Sequence, residues 1–142
     1  MHFVSVRVIT DDVQRLVGFY ADVLGMTPTW YTEDFAELAT PGCTLAVGST
    51  RTMALFGAGA ARPAANHTAI LEFHVEDVDA AYARVRGPEG VVRDVVQAPT
   101  TQPWGNRSLL FRDPDGNLVN FFTPVSPAAR QKYRAQAGAG AA

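Results

Sequence analysis

Asp113-Pro114-Asp115-Gly116-Asn117-Leu118-Val119-Asn120-Phe121-Phe122 is a turn followed by a strand. Proline presets one dihedral, the Asp side chains hydrogen-bond local backbone, and Gly116 accepts a positive φ. Two strands meet at such a turn: Ser108 to Phe111 before it, and the β-prone, uncharged Leu118 to Phe122 after it. Side chains alternate along a strand, so Val119 and Phe121 share one face and Leu118, Asn120 and Phe122 the other. One amide therefore sits among apolar side chains.

Outward from this hairpin the chain shows a repeat. His2 to Ile9 alternates as a strand. Asp11-Asp12 then caps a helix carrying Val13, Leu16, Val17, Tyr20 and Leu24, which Gly25 stops. Met26 to Thr32, Phe35 to Ala39 and Thr44 to Val47 read as three short strands, and Met53 to Phe56 either extends the last or packs beside it. Gly57 to Asn66, GAGAARPAAN, has no bulky apolar side chain and reads as a linker. Then the pattern returns: a strand at His67 to Val75, a helix capped at Glu76-Asp77 with Val78, Ala81, Tyr82 and Val85, and strands at Val91 to Val96, Arg107 to Phe111 and Leu118 to Phe122. The offset that puts His2 on His67 also puts Arg7 on Glu72, Asp12 on Asp77 and Val13 on Val78; at the other end Gly42 falls on Gly116 and Ala46 on Asn120. Two copies of one βαβββ unit follow. The fold class is α+β, with the two modules forming a curved, partly open eight-stranded sheet around a concave cavity.

The expected organisation is a single domain over 1–125, with module one at 1–57, a linker at 58–66 and module two at 67–125. A tail at 126–142 holds a short helix over Pro127 to Gln136 and then a frayed end. At 142 residues a second full domain does not fit. The formal charge of -2, with basic residues scattered, recommends neither nucleic acid nor an acidic membrane as partner. Cys43 has no second cysteine to pair with, and the sequence carries neither a signal-peptide pattern nor a membrane-length apolar run. A cytoplasmic protein acting on a small molecule is the expectation.

The βαβββ pair, Phe19-Tyr20-Ala21-Asp22-Val23-Leu24-Gly25-Met26, the Val75-Glu76-Asp77-Val78-Asp79 junction and the Asp113-Pro114-Asp115-Gly116-Asn117 turn together resemble the vicinal oxygen chelate superfamily over about residues 3 to 124. That superfamily includes glyoxalase I, extradiol dioxygenases, fosfomycin-resistance enzymes and bleomycin-resistance binding proteins. The resemblance implies a divalent metal held by side chains from the first and last strand of each module, and it maps those positions onto Ser5, Ala46, Ile70 and Asn120. Alanine and isoleucine have no donor atom, and a neutral serine and an asparagine are poor ligands for metals that want imidazole, carboxylate or thiolate. His74 shares a face with Ile70 but lies roughly 13 Å along the strand from it. No cofactor is therefore expected, with a divalent metal as the runner-up.

The candidate ligand-binding residues are Ser5, Arg7, Trp30, Phe56, Glu72, Trp104, Arg107, Asn120 and Phe122. Arg7 and Glu72, at equivalent inward positions, are expected to pair, either to tie the modules together or to present free edges to a ligand. Trp30, Phe56 and Phe122 either wall a pocket or belong to the core. Trp104 lies in the loop Gln102-Pro103-Trp104-Gly105-Asn106-Arg107, which in proteins of the bleomycin-resistance type faces the ligand; Arg107 contacts ligand or anchors that loop. Two functions follow. One is a metal-free protein that sequesters a small planar or antibiotic-type compound, in chains expected to pair as a homodimer. The alternative is a lyase, isomerase or dioxygenase of the superfamily with a non-standard site.

Overall fold

The protein, as a computed structural model describing residues 1–139, forms two compact units. The first comprises Met1–His67 with Pro114–Gly116, and the second Thr68–Asp113 with the chain from Asn117 onward. Backbone pairing runs in two four-stranded sheets.

In the first unit the elements are β1 (Ser5–Thr10), α1 (Val13–Leu24), β2 (Thr29–Thr32), β3 (Phe35–Ala39), β4 (Thr44–Ser49) and the single turn α2 (Thr50–Met53). The sheet order is β1-β4-β3-β2, with β1 parallel to β4 and the other pairs antiparallel. A parallel pair needs a crossover, and α1 begins it. The Asp12 carboxylate accepts from the Arg15 N–H at 3.0 Å, and Gly25 ends the helix at φ 63°, donating to the Ala21 and Asp22 carbonyls. Val13, Leu16, Val17, Tyr20 and Val23 are buried, as are Ala36, Leu38, Leu45 and Val47 of the strands. That is the core of this unit.

The second unit repeats the plan: β5 (Ile70–His74), α3 (Val78–Arg86), β6 (Asp94–Thr101), β7 (Asn106–Arg112) and β8 (Leu118–Pro124), in the order β5-β8-β7-β6, followed by α4 (Pro127–Ala139). β5 is parallel to β8, and Glu72 stands opposite Asn120 just as Arg7 stands opposite Ala46 in the first unit. The helix-covered side of the sheet buries Leu71, Leu109, Phe111, Val119 and Phe121 against Val78, Ala81 and Val85. The rings of Phe73 and Phe111 both meet Phe121 edge to face.

The turn between β7 and β8 is built as its residues dictate. The Asp113 N–H donates to the Asn117 carbonyl at 3.0 Å, while the Asp113 carboxylate accepts from the Asn117 backbone N–H at 2.9 Å and from its side-chain Nδ2 at 2.7 Å. At its tip, in the first unit, Asp115 accepts from Arg15 of α1 at 2.6 Å.

Six expectations are corrected. The strands expected from His2 and from His67 begin at Ser5 and Ile70, where partners in β4 and β8 become available, and β2 is confined to Thr29–Thr32. The strand expected at Val91 to Val96 lies at Asp94–Thr101, because Val92 is drawn into the core with its N–H on the Val85 carbonyl. Met53 to Phe56 is no strand: Ser49 caps α2, whose Thr52 hydroxyl donates back to the Ser49 carbonyl at 2.7 Å. The tail helix expected to reach Gln136 continues to Ala139 and packs on β8, with Ala129 buried; the last three residues lie outside those described.

Gly105 seats that final helix. Its carbonyl accepts from the Val125 and Ser126 N–H groups at 2.9 and 3.1 Å, its φ is 92°, and a Cβ there would lie 2.0 Å from Ser126 Oγ. Gly116 has a similar φ of 83° but open space around it. Gly105→Ala is therefore expected to cost roughly 2–4 kcal/mol, from strain plus a clash. Gly116→Ala should cost only about 1 kcal/mol, from the backbone alone. Urea unfolding of the two variants measures the difference, and equal losses would show that Ser126 yields freely.

Candidate functional site

Each sheet has one side covered by its crossover helix, α1 or α3, and an opposite, open side without one. In the second unit α4 lies over part of that open side, with Tyr133 against His74 and Phe122. In the first unit, register places Arg7, Ala46 and Glu37 side by side across β1, β4 and β3 on the open side. The Arg7 guanidinium lies 4.8 Å from the Phe35 ring centroid and 5.3 Å from that of Phe56, within cation–π reach of both. Tyr31 packs near Phe35 and donates its hydroxyl to Glu37 at 3.3 Å. Ala46, being small, leaves the middle of this row low. A guanidinium, a carboxylate, a phenol and two flat rings thus surround a shallow floor.

In the second unit the corresponding open side carries Ile70, Glu72 and His74 on β5, Leu118, Asn120 and Phe122 on β8, and Asn106, Ser108 and Leu110 on β7. Asn120 Nδ2 donates to Glu72 Oε2 at 2.7 Å. That bond settles the amide's orientation, because the flipped form would set two acceptor oxygens against each other. Asn120 Oδ1 consequently points away, is buried, and has no hydrogen-bond partner among the described residues. Asn106 Oδ1 is in the same condition, its Nδ2 making only a long 3.4 Å contact with the Tyr133 hydroxyl. Buried acceptors without donors are rare in folded proteins and mark places where something else supplies the proton. Toward the end of β5 and β8 the His74 and Phe122 rings stack 5.5 Å apart, with Tyr133 of α4 tilted against both.

The candidate residues divide between these surfaces. Ser5 and Arg7 lie on the open side of the first sheet, with Phe56 over Arg7. Trp30 does not join them: it pairs with the buried Ala36 and so shares the helix-covered side, while the irregularity after it turns Tyr31 to the open side. Glu72, Asn120 and Phe122 come together on the second sheet. Arg7 and Glu72 each have partners within their own unit. Trp104, in the turn before β7, is 67% exposed. Arg107 anchors the fold: it makes two 2.7 Å hydrogen bonds to Asp79 at the start of α3, on the helix-covered side. The guanidinium holds the Asp79 carboxyl below its ordinary 3.8.

Sequence reasoning missed Tyr31, Phe35, Glu37, Asn106 and Tyr133. Phe35 and Glu37 follow from the strand alternation once Ala46 is put on the open face. Tyr133 lies one helical turn after the buried Ala129, on the same side of α4, and its place depends on α4 packing on β8. The irregularity that brings Tyr31 over has no local signature.

The metal positions that the resemblance implies do not fit a metal. Ser5 and Ala46 in one unit and Ile70 and Asn120 in the other provide one hydroxyl, two hydrocarbons and an amide whose nitrogen is already turned to Glu72. Among the described residues no three His, Cys, Asp or Glu side chains gather in one place.

This duplicated βαβββ plan defines a family. Residues 2–121 match the model of the Glyoxalase/Bleomycin resistance protein/Dioxygenase superfamily, and the chain belongs to that superfamily. It is 28% identical over 128 residues to the uncharacterized protein YraH of Bacillus subtilis, covering 86% of this chain and 98% of that one. Among solved structures, a glyoxalase/bleomycin resistance protein/dioxygenase from Nocardioides matches with a TM-score of 0.70 at 23% identity, over 89% of this chain and 85% of that one. TioX from Micromonospora sp. ML1 matches with a TM-score of 0.65 at 26% identity, over 88% and 100%. No described helix is long and apolar enough to cross a membrane.

The two sides of β8 are expected to respond oppositely to substitution. Asn120→Leu removes an orphaned acceptor and frees the exposed Glu72 to water, so stability should stay within about 1 kcal/mol of the parent or rise. Phe121→Ala, one residue on and fully buried, should cost about 3–5 kcal/mol. Urea unfolding of both variants checks this; a large loss for Asn120→Leu would make the amide a structural element.

Proposed function

We propose that the protein is a metal-free small-molecule binder of its superfamily, holding a planar, hydrogen-bond-donating organic compound of antibiotic type against the open side of its second sheet. The observation that carries this reading is Asn120: an amide oriented by Glu72, with its oxygen buried and unpartnered. Together with the carboxylate of Glu72 it makes an acceptor pair, suited to an amine, amidine or amide NH₂ of a ligand rather than to a cation that needs three or four anionic or imidazole donors. Phe122, two residues along β8 on the same face, adds flat apolar surface beside it. In the first unit, Arg7 between aromatic faces and the Tyr31–Glu37 pair are suited to the same class of compound.

The test is a tryptophan-fluorescence titration with bleomycin and with smaller aromatic amines, with and without added zinc or manganese. Saturable binding is expected, indifferent to the metal and weakened about tenfold or more by Glu72→Gln or Asn120→Leu, the scale of a lost charge-assisted contact. Turnover of a hemithioacetal or a catechol that tracks a stoichiometric bound metal would overturn the reading in favour of an enzyme.

A further inference from the structure

The second unit contains a cavity of about 550 Å³ beside α4, lined by His74, Glu76, Pro124, Arg130, Tyr133 and Arg134 among others. Its volume lies within the range of small-molecule pockets. Its chemistry is opposite to that of the Glu72–Asn120 pair. There the groups on offer are acceptors; here two guanidiniums, one helical turn apart on α4, supply a fork of donors and two positive charges. Arg130 is held in place by its Nε, which donates to the Pro124 carbonyl at 3.3 Å and leaves the outer edge of the guanidinium unused. Among the described residues neither Arg130 nor Arg134 is in an ion pair, and Lys132, 5.1 Å over the Tyr133 ring, adds a third positive charge to the same helix. Flat surface is at hand as well, since Tyr133 and His74 both line the cavity and lie 5.6 Å apart. Glu76 is the one acid at the wall, which disfavours a ligand carrying several negative charges.

We propose that this cavity is a second binding site, for a small aromatic acid whose carboxylate or phosphate is taken by Arg130 and Arg134 while its ring lies against Tyr133 and His74. Bidentate capture of an oxyanion is what a planar guanidinium does best, and the ring supplies the apolar area that a free inorganic anion lacks.

The experiment is a ¹H–¹⁵N NMR titration of the full chain with benzoate, phenyl phosphate, benzyl alcohol and inorganic phosphate, in buffer of constant ionic strength. Saturable shifts are expected with benzoate or phenyl phosphate, clustered on residues 74–76 and 123–134; whichever of the two binds tighter identifies the anionic group. Benzyl alcohol and inorganic phosphate should each bind at least about tenfold more weakly, as each lacks one half of the recognition. Arg130→Met/Arg134→Met should weaken the acid at least about tenfold. Arg134→Met alone, which spares the Arg130 bond to the Pro124 carbonyl, should weaken it severalfold with an unchanged melting curve. No saturation by either acid, shifts centred elsewhere, inorganic phosphate binding as tightly as phenyl phosphate, or affinities unmoved by the arginine variants would each overturn the proposal. The Glu72→Gln variant is expected to bind benzoate as the parent does, so this site stands or falls separately from the acceptor pair.

Discussion

The parallel pairing of the first strand of each half with its last is the constraint from which the rest follows. A parallel pair cannot be closed by a tight turn, so the chain must leave the sheet between them; here it forms a helix and returns by way of two further strands. That detour gives each sheet one covered side, and the register of the pair decides which residues face each other on the other side. In the first unit it sets Arg7 against Ala46, and in the second Glu72 against Asn120. A slip of one residue would turn each of these inward and each core residue outward.

What sits on the covered sides is ordinary: Leu, Val and Phe at or near zero exposure, with rings meeting edge to face. The open sides are different in kind. They mix aromatic rings with amides and charges, and on the second sheet they bury acceptor atoms that the protein itself leaves unmatched. A fold selected for stability alone has little reason to keep such atoms, since an apolar side chain of similar shape would avoid the desolvation. Their presence argues for recognition. The mismatch between the donor set and metal chemistry points the same way, because the side chains that would hold a cation in this superfamily's plan are here hydrocarbons and neutral polar groups.

The repeat was legible because aspartate and glycine punctuate it at equivalent places: Asp12 and Asp77 both cap helices, and Gly116, in the place of Gly42, turns the last hairpin. The position of Asn120 was legible by the same route. Where the sequence misled, longer-range packing had won. Val91 to Val96 has strand composition, yet Val92 is taken by the core and strand pairing begins at Asp94. Trp30 and Tyr31 are neighbours of similar character, and only the irregular pairing between β2 and β3 determines that the tyrosine reaches Glu37. Arg107 could be weighed for two roles, but its alternation with Asn106 and Ser108 puts it on the side of α3, where Asp79 waits. The cluster around Tyr133 depends on α4 folding back onto β8, which no local pattern announces.

The two halves thus share a scaffold and differ in what they present: a cation among rings in one, an oriented acceptor pair in the other. Crystallisation of the protein with the aromatic amine it binds most tightly and an equimolar amount of zinc examines the central claim directly. A ligand N–H within about 3.2 Å of Asn120 Oδ1, with no zinc beside it, is the predicted result. An anomalous zinc peak coordinated by Glu72 or His74 would contradict it.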